Sequence, residues 1–153
     1  MKIILPEDLP QLALSVRQPW VHCIFHLGKP VENRTWNTSI RGTICVHASK
    51  GMTQYEYEDC RTLAYQIGQR DDATREMLRA HPVPALRSIP RGAIIGTVDI
   101  VDVVRRSNDP WFFGPYGFVL DNPRLLEKPI ACNGTLGFFD WRKKCTAEVR
   151  DHG

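Results

Sequence analysis

Lys29, Glu32 and Arg34 place two cations and a carboxylate within one short stretch of chain, Lys29-Pro30-Val31-Glu32-Asn33-Arg34. A lysine beside a carboxylate is either an ion pair or a general acid–base unit, and a carboxylate can itself act as a nucleophile. If the segment is a strand, its two-residue repeat puts Glu32 and Arg34 on one face, and Lys29 at the strand's entrance can swing toward it. Ser15, Arg17 and Gln18 precede this cluster at a strand-to-helix turn, where backbone N–H groups and a nearby arginine suit a phosphate or carboxylate. His47 and Lys50 follow it. An imidazole can shuttle protons near neutral pH, and Lys50, beside Gly51, is a ready anion contact. With Trp20, Asn33 and Trp36 interleaved, the stretch has what is needed to hold a phosphate and stack a base. Later, Trp111-Phe112-Phe113 sits between Asp109-Pro110 and Gly114-Pro115, with Tyr116 next. Trp111 or Tyr116 can therefore rim a cleft and stack a base, or Trp111 can plug a barrel end.

Each of these residues also has a plainer reading. Trp20 fits the core, Glu32 and Arg34 fit a structural ion pair, and a histidine at a strand end is commonly hydrogen-bonded structure. His22 and His26 stand four apart on a helix, a spacing that can bind a metal. No glutamate follows His22 and no third ligand is placed, so a solvated helix face is expected and no metal. Asp99 and Asp102 lie on opposite faces of an apolar strand, where one can face solvent and the other can reach Lys29. The cysteines, Cys23, Cys45, Cys60, Cys132 and Cys145, are odd in number, widely spaced and without a C-x-x-C pair. They suggest neither a disulfide framework nor a zinc site, and Cys45 belongs to an apolar run as a small hydrophobe. No cofactor is expected.

The elements that must position these groups follow from pattern. Residues 12–16 read as a strand. Residues 19–27 read as a helix, with Pro19 at its start and Gly28 beyond its end. Residues 30–36 and 42–48 read as strands. Thr53 and Glu56 form a capping-box pair for a helix reaching about Gln66, with Gly68 as its stop. Residues 72–80 add a further helical turn or two, and residues 80–90 a proline-rich connector. Residues 92–104 make a long, bent strand. Residues 116–120 and 136–141 supply the last strands, and the charged tail beyond Trp141 has no clear pattern. The expected fold is α+β: a small mixed β-barrel with short helices packed at its ends. One domain over residues 1–144 and a mobile tail over 145–153 are expected.

These residues also carry a family resemblance. Leu14-Ser15-Val16-Arg17-Gln18-Pro19-Trp20, Gly28 to Trp36, Arg41-Gly42 and His47-Ala48-Ser49-Lys50 resemble the ASCH domain of the PUA-like superfamily. Gly92 to Val98 and Gly134-Thr135-Leu136-Gly137 fit its later strands, so the likeness runs over roughly residues 12–141. The resemblance implies a PUA-like barrel and binding of RNA or DNA. In ASCH-like hydrolases that deacetylate N4-acetylcytidine, a lysine and a threonine three residues on are catalytic. Lys29 matches that lysine, but Glu32 stands in the threonine's place and argues against that chemistry.

Composition narrows the partners. The net charge of +3 is mild, whereas residues 51–80 carry six acids against four bases. A local cationic cleft steers nucleic acid even on a near-neutral molecule. No run approaches the roughly 18 apolar residues of a membrane helix, and the start is too short and acidic for a secretion signal, so cytoplasm and no membrane partner are expected. The reading is an RNA-, single-stranded nucleic-acid- or nucleotide-binding protein, with Ser15, Arg17, Gln18, Lys29, Arg34, His47, Lys50, Trp111 and Tyr116 as contacts. The alternative is a hydrolase, cutting RNA or a modified nucleoside, with Lys29, Glu32 and Lys50 as catalytic groups; for RNA cleavage Lys50, His47 or Lys29 would act with Glu32. A third is a protein-interaction module in transcription or translation.

Overall fold

The structure, a computed structural model, describes residues 4–145. In chain order the strands are β1 (Leu12–Val16), β2 (Val31–Arg34), β3 (Gly42–Ala48), β4 (Ala93–Val104), β5 (Tyr116–Ala131) and β6 (Phe138–Asp140). The helices are α1 (Trp20–His26), α2 (Gln54–Arg70) and α3 (Asp72–Ala80). The strands form one sheet in the order β2-β5-β4-β3-β1-β6. Within this sheet β1 and β3 pair in parallel, while the other neighbouring strands run antiparallel. The fold is thus α+β with a curled, PUA-like half-barrel.

Two physical features curl the sheet. Register shifts interrupt the β4–β5 ladder at Ile94/Gly96, Thr97/Asp99 and Ile100/Asp102, and each such bulge bends and twists the strand that carries it. The edge strands β2 and β6 are brought together by aromatic side chains instead of backbone pairing. Trp36, just past β2, meets Phe118 of β5 edge-on at 5.3 Å and Phe138 of β6 at 5.7 Å. Such edge-to-face pairs add to simple area burial.

Strand alternation sorts the core. Leu14, Val16, Ile44, Val46, Ile95, Val98 and Phe118 bury inside the curl with Ile24 of α1, and Trp20 and Phe138 pack against them. Ala13, Cys45, Ile94 and Phe139 point to the other face and pack with Trp141. Burial there pushes the Cys45 thiol up to about 12. A third cluster joins α1 to α2 through Cys23, Leu27, Cys60, Ala64 and Ile67.

Several boundaries depart from expectation. The capping box is present, with Thr53 Oγ1 accepting from Glu56 N–H at 3.0 Å and Glu56 accepting from Thr53 N–H at 3.5 Å. However, α2 runs through Gly68 to Arg70. A Cβ at Gly68 would lie 3.1 Å from Leu78 Cδ1, so this glycine permits α3 to pack closely and does not stop the helix. β5 continues through Asp121-Asn122-Pro123, a turn-like sequence that is here an irregularity with Asn122 at φ 57°. Residues 141–145 are helical where only a charged tail was expected. The mobile tail expected over 145–153 otherwise falls outside the described residues. Among the described residues no helix is long and apolar enough to cross a membrane.

His22 and His26 do not form a solvated face. Their rings lie 4.7 Å apart, and His26 also stacks 4.8 Å from His81 beyond α3. His22 Nε2 lies 3.0 Å from the His81 carbonyl. Burial lowers the pKa of His22 despite that bond. Burial, helped by the two neighbouring rings, lowers His26 from 6.5 to about 4. The folded state therefore holds these rings neutral where the unfolded chain takes up protons, and stability present above pH 6.5 is lost as pH falls toward 4. Melting temperature should decline across this window in wild type and decline less in His26→Gln. Parallel declines in the two proteins would show that the histidine stack is not responsible.

Candidate nucleotide-binding cleft

The cleft begins with the end of α1. Gly28 adopts φ 69°, and Lys29 N–H bonds back to Cys23 O at 3.1 Å. Glycine adopts this left-handed conformation at helix ends without a steric penalty. The reversal aims the Lys29 side chain inward, where it is 1% exposed. Its Nζ donates to Val31 O at 2.5 Å and to Glu32 Oε1 at 3.3 Å, and sits 5.5 Å from the Trp20 ring centroid. A buried ammonium requires such partners, because its loss of hydration is otherwise uncompensated.

Glu32 is held from its other side. Arg34 Nε donates to Glu32 Oε2 at 3.1 Å, and Arg34 Nη2 lies 2.9 Å from the same oxygen. Arg34 Nη2 also donates to Ser15 O at 2.6 Å, tying β2 to β1 across the curl. The guanidinium lies 5.7 Å from the Trp36 ring. Two cations around one carboxylate leave the floor formally +1. This floor belongs to a cavity of about 500 Å³ that also takes in Ser15, Arg17, Trp20, Trp36 and Phe113.

Asn33 fixes the rim. Its Nδ2 donates to Trp111 O at 3.0 Å, and its Oδ1 accepts from Phe113 N–H at 2.8 Å and Gly114 N–H at 3.1 Å. Asp109 Oδ1 adds a bond from Trp111 N–H at 2.8 Å. The loop thus turns Trp111 inward, where it is buried in the α1–α2 cluster. Phe113 is left 65% exposed at the cleft edge. Trp111 is therefore not the rim aromatic. Phe113 holds that place, and only the turned loop distinguishes the two. Tyr116 lies outside the cleft lining and faces Arg105, whose guanidinium is 5.3 Å from its ring.

Other expected contacts are also relocated. Gln18 is buried, donating to Pro90 O at 2.9 Å and accepting from His22 N–H at 3.1 Å, so it serves the start of α1. His47 is buried with Nε2 2.6 Å from Cys132 O. Its Nδ1 lies 3.3 Å from the Oγ of Ser15, which lines the cleft. Lys50 belongs to a separate shallow site with Ile89 and Arg91. Arg17 does line the cleft, but Glu56 holds its Nε and Nη2 at 2.9 and 3.0 Å. Asp99 accepts from Thr43 and lies 3.9 Å from Arg124, and Asp102 is 4.0 Å from Arg41, so neither pairs with Lys29. A larger cavity, about 840 Å³, lies between α2, α3 and the back of the aromatic loop, without converging cations. Among the described residues no group of three or more His, Cys, Asp or Glu side chains is disposed to hold a metal ion.

The comparisons agree with the fold. The family model of the ASCH domain matches residues 14–112. Over 138 residues the chain is 28% identical to Activating signal cointegrator 1 of Homo sapiens, covering 83% of this chain and 22% of that protein. It is 25% identical over 138 residues to Activating signal cointegrator 1 of Mus musculus, with the same coverage. The chain thus spans less than a quarter of the length of these relatives.

Removing the shared carboxylate tests the buried charge cluster. Glu32→Ala leaves the Lys29 ammonium buried without its acid and should cost about 3–5 kcal/mol in urea denaturation. Adding Lys29→Met should recover part of that loss. A Glu32→Ala penalty below about 1 kcal/mol, the range of an exposed pair, would contradict this role.

Proposed function

The chain belongs to the ASCH domain family, and on that premise we propose that it binds RNA by seating a single-stranded or flipped-out nucleotide in the cleft. The observation that carries this reading is the Lys29–Glu32–Arg34 cluster on the floor of a cavity edged by Trp20, Trp36 and Phe113. A cationic floor suits phosphate or a base's acceptor edge. The Glu32 oxygens, each bonded to one cation, retain lone pairs for an exocyclic amino group. Phe113 offers an exposed ring for stacking, and this favours an unpaired base over intact duplex. Arg17, at the edge, extends the path for a neighbouring phosphate.

The hydrolase alternative draws less support from the same geometry. Lys29 Nζ is engaged by Val31 O and Glu32, and both Glu32 oxygens are engaged by cationic donors. These groups are arranged to hold charge in place, whereas an acid–base pair needs a proton path to the reacting group.

Binding of a labelled single-stranded RNA, followed by fluorescence anisotropy across a salt series, tests the proposal. Affinity should fall as salt rises, through counterion release. Phe113→Ala should weaken binding by about 1–3 kcal/mol, the worth of one stacked base. Arg17→Ala should lower the salt slope by about one. Lys50→Ala should leave affinity close to wild type. Loss of binding in Lys50→Ala with Phe113→Ala unaffected would move the interface away from the cleft.

A further inference from the structure

A second concavity, about 670 Å³, lies along α2, α3 and the segment after α3, and shares no lining residue with the cleft. Its shape begins with the helical hairpin. A single residue, Asp71, separates α2 from α3 and accepts from Thr74 N–H at 3.0 Å, capping α3 as the chain reverses. Gly68 then lets Leu78 approach α2 closely. Leu78 and Val83 are half-buried here, against the α1–α2 cluster. Tyr65 stands 64% exposed beside them.

Charge gives this groove its character. Its charged lining residues are Arg61, Arg75 and Arg79, with no acid among them. Arg61 makes no ion pair among the described residues and lies 5.6 Å from the Tyr57 ring. Arg75 pairs with Asp72, and Arg79 with Glu76 at 2.7 Å, each across one exposed helical turn. Exposed pairs of this kind contribute little and exchange readily for a better-placed carboxylate.

We propose that this groove docks a short acidic peptide segment of a protein partner, with an apolar side chain against Leu78 and Val83 and carboxylates on Arg61, Arg75 and Arg79. The same arginines are less suited to a long polyanion. Residues 51–80 as a whole carry six acids and four bases, so a nucleic acid extending beyond the groove meets repulsion, whereas a short segment confined to it meets three arginines and has only the exposed carboxylates of Asp72 and Glu76 to displace from two of them. The aliphatic floor also favours Leu- or Phe-type anchors.

A fluorescein-labelled peptide of about twelve residues, alternating Asp or Glu with Leu, is a suitable probe. Saturable binding that weakens with salt is expected. The Arg61→Ala/Arg79→Ala double variant should weaken it by about tenfold, and Tyr65→Ala should also weaken it. All three side chains are exposed, so melting curves of these variants should match wild type. The double variant should keep wild-type affinity for single-stranded RNA, separating this site from the cleft. The proposal is overturned if the peptide does not bind, if the double variant binds it equally, if a peptide with Lys in place of Asp and Glu binds as well, or if single-stranded RNA displaces it through the same arginines.

Discussion

An ammonium group placed where water cannot reach it must be met by the protein, and Lys29 imposes that demand on the whole lower end of the half-barrel. The reversal at Gly28 delivers the side chain. Val31 O, Glu32 and the Trp20 ring receive it. Glu32, once turned toward Lys29, needs a second cation on its far oxygen, and Arg34 supplies it from the same strand face. Arg34 in turn bonds the Ser15 carbonyl. A chain of charge-assisted bonds thus joins the end of α1, β2 and β1. Breaking such a network at one member costs more than its pairwise bonds suggest, because the remaining charges stay buried.

The aromatic residues complete what the charges begin. Trp36 wedges against Phe118 and Phe138 where the sheet's edge strands lack backbone pairing, and lies beside Arg34. Asn33, between the two charged residues of β2, carries three bonds to the aromatic loop and holds Phe113 at the rim. β2 and the residues that flank it, from Lys29 to Trp36, therefore supply the floor and the closure of the cleft and staple its edge. The same economy explains why Arg17 is tied to Glu56. The glutamate that completes the α2 capping box also anchors the arginine at the cleft edge.

Much of this was legible from residue order, and the exceptions share a physical cause. Pro19, Gly28, Thr53 and Glu56 act through neighbours a few residues away, so their roles are visible locally. The Glu32–Arg34 pairing follows from strand alternation alone. Gln18 and His47 looked like ligand contacts because their types suit that role, yet each is committed to a carbonyl far along the chain, at Pro90 and Cys132. No local pattern reveals such partners. Phe113 takes the rim place that Trp111 or Tyr116 was expected to hold, because an Asn33-stapled loop has no sequence period to read. Gly68 and Asn122-Pro123 resemble stops, but close helix packing and a strand irregularity employ them within elements.

The most direct test of the cleft is a heteronuclear NMR titration with a short single-stranded RNA, observing the backbone amides, the Arg34 Nε–H and the Trp indole N–H groups. Shifts are expected to concentrate at Arg34, Trp36, Phe113 and Gly114, with His47 and Lys50 nearly unmoved. Shifts concentrated at Lys50 and Arg91, or along α2 and α3, with Arg34 and Phe113 silent, would contradict binding in the cleft.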